Sequence, residues 1–240
     1  MRLLYFLVFL FTFSVSAQIE IKINSISTTD LSLKKRKFTI KYHIKNLTNK
    51  EISFFLMPKT LIAHSASSMT LFPVYKIYQN GVFEDVDGPF YEKIYAEQEG
   101  FEAETDSEKR KKIIEDLTDK FNTEYEKTIE DYKKNGGKST DDMWIYRNQK
   151  LIQSIVKLNP NETKEFEITT SWNKERYYKI DDKEFYLDEK DKFEIELSLF
   201  LDKSNRINSL SPEELSKIKK DENFIEGRFT SNKMEINFKE

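Results

Sequence analysis

The chain has 240 residues, a formal net charge of −3 from 39 basic and 42 acidic side chains, two histidines and no cysteine. That balance offers no electrostatic case for nucleic acid, and the lack of cysteine removes disulfides, thiol catalysis and lipid attachment through a cysteine. The length suits one sizeable core, or one core with an inserted element, and 19 Phe and 12 Tyr against 6 Gly favour a packed, aromatic-rich β structure over a disordered one.

The opening residues, MRLLYFLVFLFTFSVSA, put Arg2 ahead of an apolar run from Leu3 to Phe13 and end on small residues, with Val15 and Ala17 where a signal peptidase reads. The run is shorter than the roughly 20 apolar residues of a spanning helix. It predicts a signal peptide over 1–17, a mature chain from Gln18, secreted or periplasmic localisation, and membrane contact only through the leader before cleavage. The Lys-, Asn-, Tyr- and Phe-rich make-up suits a bacterial envelope protein.

Next, apolar residues alternate: Ile19, Ile21 and Ile23, then Phe38, Ile40, Tyr42 and Ile44. Period 2 of this kind marks half-buried antiparallel strands. ISFFLM (52–57) is denser and stops at Pro58; LFPVYKIY (71–78) runs into the hairpin signal Asn80-Gly81. From Thr105 to Lys134 neither Gly nor Pro occurs, and Ile113, Leu117, Phe121, Tyr125 and Ile129 recur every four residues, with Ile114 and Tyr132 on the same side. That is the stripe of a long amphipathic helix, capped by Thr105 or Asp106, ended by Asn135-Gly136-Gly137 and expected to pack on the sheet. Strand patterns resume at LIQSIVKL (151–158), KEFEITTSW (164–172), KFEIELSLFL (192–201) and FIEGRFTSNKMEINF (224–238). Between the last two, Ser211-Pro212-Glu213-Glu214 supplies cap, first-turn proline and N-terminal acids for a short helix near 212–220.

LNPNETKEFEITTSW (158–172) is read as a corner: Pro160-Asn161 turns the chain between a strand ending at Leu158 and one whose Phe166 and Ile168 face inward. Its pattern Leu-x-Pro-x-Glu-x-x-x-Phe-x-Ile resembles a turn of bacterial secreted immunoglobulin-like modules, among them proteinase-inhibitor-like and adhesion-like domains. KNLTNKEISFF (45–55) looks like the Asn-containing corner between early strands of such modules. LDEKDKFEI (187–195) is similar to the immunoglobulin E–F corner, with Leu187, Asp191, Phe193 and Ile195 in its places; Phe193 lacks the hydroxyl of a tyrosine corner and Ile195 cannot form the inter-sheet disulfide. The resemblance spans about half of the mature chain and implies fold, not function. It implies a mostly β protein: an immunoglobulin-like antiparallel β-sandwich over 18–240, with a helical insertion at about 88–149. Asn46-Leu47-Thr48 and Asn161-Glu162-Thr163 match the glycosylation triplet but read as turn residues.

Chemistry is sparse. His43 sits in a strand, facing away from the Tyr42/Ile44 side; His64 in HSASSMT lacks the Gly-x-Ser-x-Gly elbow of a serine hydrolase. DVDG (85–88) opens like a calcium loop, yet Ala96 stands where the twelfth-position Glu belongs. No catalytic residue, metal ligand set or cofactor is therefore assigned. The candidate ligand surface is aromatic: Phe90, Tyr91 and Tyr95 before the helix, Trp144 and Tyr146 after it, all read as loop residues. Packing of the helix onto the sheet is the competing use of these rings. The expected function is a non-catalytic binding or structural module whose partner is another envelope protein, a peptide or a glycan. A calcium-dependent hydrolase or its accessory domain, using acids such as those of IDDKEFYLDEKD (180–191), and a proteinase inhibitor stand as alternatives.

Overall fold

A computed structural model describes residues 18–33, 35–64, 71–84, 107–173, 177–178, 184–185, 190–203 and 207–238. The fold is mostly β, with several antiparallel sheets and three α-helices among the described residues. The first sheet joins β1 (Ile19–Asp30), β2 (Lys35–Asn46) and β8 (Thr163–Asn173) in the order β1–β2–β8. Their inward residues are those the alternation marks: Ile19, Ile21, Ile23, Phe38, Ile40, Tyr42, Ile44 and Ile168 are all buried.

The second sheet runs β12 (Gly227–Thr230), β11 (Phe193–Leu201), β5 (Val74–Gln79), β4 (Ile62–Ala63), with β6 (Val82–Glu84) on β5 and β13 (Met234–Glu235) on β11. β4 pairs with β5 in parallel; the other pairings are antiparallel. Two further pairs are β3 (Ile52–Phe55) with β7 (Ile155–Leu158), and β9 (Tyr177–Tyr178) with β10 (Glu184–Phe185). Tyr75, Ile77, Phe193, Ile195, Leu197 and Leu199 from the second sheet join the apolar face of the first in one buried cluster, which is the main core. Without disulfides this burial carries the stability, at roughly 25 cal/mol per Å² of apolar surface removed from water.

The two corners meet at one side chain. Asn46 is fully buried, and its Nδ2 donates to the carbonyls of Lys50 (2.7 Å), Leu158 (3.1 Å) and Asn159 (2.9 Å). Its Oδ1 accepts from the Thr48 amide (2.9 Å) and hydroxyl (2.8 Å). Asn46 thus heads the turn its triplet suggests and also clamps the two corners together. Asn161 does occupy the turn, at φ 59°, and the Glu162 amide donates back to Asn159 O at 3.0 Å. The segment 158–162 carries the chain from β7, paired with β3, to β8 in the first sheet.

At Asn80-Gly81 the positive φ values of 51° and 82° make the tight β5–β6 hairpin. Asn80 also docks on the start of β11: its amide donates to Lys192 O and its Oδ1 accepts from the Lys192 amide. Hydrogen bonds from Asn80 and then Gln79 hold the Asp191 carboxyl below the usual aspartate range. The C-terminal segment spans both sheets. Asn232 Oδ1 accepts from the Ile23 amide (2.8 Å) beside the bulge in β1, and the Phe238 ring meets Phe38 and Phe193 edge-on. Buried Arg36 lies over that ring and pairs with Asp30 at 2.7 Å.

LIQSIVKL does not form one strand. α2 (Asp142–Gln153) occupies its first residues, and only Ile155–Leu158 is β. The segment read as ending near 149 therefore continues as helix to Gln153. α2 and α3 (Pro212–Lys220) contribute to a second, smaller core of Phe55, Leu71, Leu151, Leu210, Ile218 and Phe224.

Candidate functional site

α1 (Ser107–Lys134) forms where the four-residue recurrence places it, and the Asn-Gly-Gly segment ends it. Gly136 at φ 83° lets its amide donate to Lys133 O (3.1 Å) while the Gly137 amide donates to Tyr132 O (3.0 Å), the paired hydrogen bonds of a Schellman stop. Thr105 and Asp106, expected to cap its start, lie outside the described residues.

The stripe on α1 packs on α2, not on the sheet. Phe121, Tyr125 and Tyr146 form a ring cluster with centroids 5.3 to 5.9 Å apart, and Tyr132 meets Trp144 at 6.4 Å. Lys133 pairs with Asp142 at 2.9 Å, and Lys150 with Glu124. Only Ile129 of the stripe is buried; Ile113, Leu117 and Tyr125 are half-buried and Phe121 is exposed. The reason lies in the partner: a 12-residue helix can cover only part of a 28-residue one.

Trp144 and Tyr146 are therefore helical, correcting their assignment to a loop. Asp141 caps α2 by accepting from the Trp144 amide (3.0 Å), and Ile145, Asn148 and Leu151 form its buried face. Trp144 Nε1 donates to Asn208 O at 3.1 Å. Fully buried Asn148 donates to Ser209 O (3.0 Å) and to Glu214 Oε2 (2.8 Å), which also accepts from the Ser211 amide in the capping box of α3. The structure brings Trp144 and Tyr146 together with α1; Phe90, Tyr91 and Tyr95 lie outside the described residues.

Beside Tyr146 a pocket of about 270 Å³ opens between α2 and the second core. Its floor is Met57, Leu71 and Leu151, its wall Tyr146, and its rim Arg147, Lys150 and Ser209. Lys150 sits 5.5 Å from the Tyr146 ring centroid and is paired with Glu124, whereas Arg147 is exposed and has no ion pair among the described residues. An apolar floor with few polar rim groups is the usual construction of a small-molecule site. Except for Tyr146, these residues escape the sequence reading. The available signal was Asp141 as cap followed by Ile145, Asn148 and Ile152 at helical spacing.

A second aromatic surface lies on the outer side of β5, β6 and β11, where Phe83 stands half out of the surface near Tyr78 and His64. Its cations are already engaged. Lys233 lies 3.3 Å from the Tyr78 centroid, and Lys76 reaches both the Phe83 ring and Glu196. Burial, then the neighbouring Glu196 carboxylate, pushes the Tyr78 hydroxyl above its ordinary value. His43 lies on the outer face of the first sheet, with ring nitrogens 2.7 Å from Asn24 Oδ1 and 3.4 Å from Glu20 Oε1.

Among the described residues no group of three His, Asp or Glu side chains could hold a metal ion, and no helix is long and apolar enough to cross a membrane. DVDG and most of 180–191 lie outside the described residues. Comparison with protein-family models, curated proteins and solved structures gives no match.

Proposed function

We propose that the chain is an exported, non-catalytic binding module of the bacterial envelope: an immunoglobulin-like β-sandwich whose helices carry a small-molecule pocket. The β1–β2–β8 and β12–β11–β5 orders correspond to the A–B–E and G–F–C orders of such a sandwich, and the shared buried cluster supports two packed layers. The N-terminal leader pattern supports export with cleavage after Ala17, and 88–149 is the inserted part, with α2 carried on to Gln153.

The observation that carries the binding role is the pocket at Tyr146, where Met57, Leu71 and apolar residues of α2 meet an exposed arginine. Thermal unfolding against a panel of small organic acids, amines and sugars tests it, using the wild type and Met57→Trp. A ligand that binds only the native state raises its melting temperature. The wild type should be stabilised by at least one compound that leaves the pocket-filled variant unmoved. Equal shifts in both proteins would place the site elsewhere.

A further inference from the structure

We infer that this pocket takes a small amphiphilic monocarboxylate, its apolar body on Met57, Leu71 and Leu151 and its carboxylate on Arg147; the inference rests on the pocket being the binding site. The floor excludes a strongly polar body, because a sugar or peptide amide set there would leave donors and acceptors without partners. The charges at the rim decide the head group. Lys150 is neutralised by Glu124. Of the two cations that line the pocket, Arg147 is the one without a carboxylate partner among the described residues. A guanidinium fork matches a carboxylate with two parallel hydrogen bonds. A dianionic phosphate monoester would leave one charge uncompensated, and a cationic amphiphile would face Arg147 directly. Ser209 adds a hydroxyl at the same rim.

Calorimetric titration of the full chain with decanoate and decyltrimethylammonium below their micelle concentrations, and with decanol below its solubility limit, separates the contributions because all three share one apolar chain. Decanoate should bind about tenfold or more tighter than decanol, and decyltrimethylammonium weakest. The advantage should shrink as salt rises. Arg147→Gln should bring decanoate to parity with decanol while the decanol affinity holds. Arg147→Lys should keep part of the preference. Met57→Trp, checked for native circular dichroism, should abolish both. Parity of decanoate and decanol in the wild type, or a preference that survives Arg147→Gln, overturns the carboxylate inference and leaves the pocket standing. Binding that survives Met57→Trp, or no binding of any probe, overturns the pocket and the inference together.

Discussion

At Asn46 one amide joins corners that lie more than a hundred residues apart in the chain, and its loss exposes two kinds of cost. Asn46→Ala removes the donor to three carbonyls and leaves those near Leu158 poorly solvated. It should destabilise the protein by about 2–3 kcal/mol in urea unfolding, the usual penalty for stranding buried polar groups. A loss under about 0.5 kcal/mol would mean that water takes over the clamp. The sequence offers Asn-Leu-Thr as an ordinary turn triplet, since nothing local says that Leu158 O will sit above it. Asp191 gives a pH test. Its folded value is lowered, so the stability it contributes is fully present above the ordinary aspartate value and is lost as pH falls through the lowered folded value. Carboxyl chemical shifts should show Asp191 titrating below a free aspartate, and Gln79→Ala should move that titration upward. An unchanged midpoint would show that Gln79 does not hold the Asp191 carboxylate.

For the elements, the contrast lies between the two partners of the helical pair. Phe121 is 47% exposed, whereas Ile145 is fully buried. Phe121→Ala should therefore cost about 1 kcal/mol or less, while Ile145→Ala should cost about 2–5 kcal/mol in the same denaturation assay. Equal costs would indicate that α1 is bound as firmly as the second core. The strands β1, β2, β8 and β11 were legible because a half-buried strand writes its faces directly into period 2. α1 was legible through its four-residue recurrence, and α3 through Ser211-Pro212. α2 was not, because Asp142–Gln153 is short, and its halves resemble a polar loop and the start of the IVKL strand. The packing partner of α1 was also hidden: a stripe states that a helix needs cover, but not whether a sheet or another helix supplies it.

For the whole molecule, the packing makes the two sheets with the second core a self-sufficient scaffold, on which α1 rests through α2. The pocket depends on this arrangement, because its floor belongs to the scaffold and, among the described residues, α1 meets its lining through Glu124 and the Tyr146 ring cluster. α1 has one buried stripe residue, Ile129, so little of the core is lost with it, and loop-closure cost changes slowly with linker length. Cutting on through residue 149 is different, since it removes Ile145 and Asn148 and uncovers Leu151. That deletion should unfold the second core. The most direct test is far-ultraviolet circular dichroism during thermal unfolding of a chain in which residues 107–134 are replaced by a short Gly/Ser linker. A retained β spectrum and one cooperative transition, within about 5–10 °C of the parent, are expected. A chain without a cooperative transition would show instead that α1 belongs to the core.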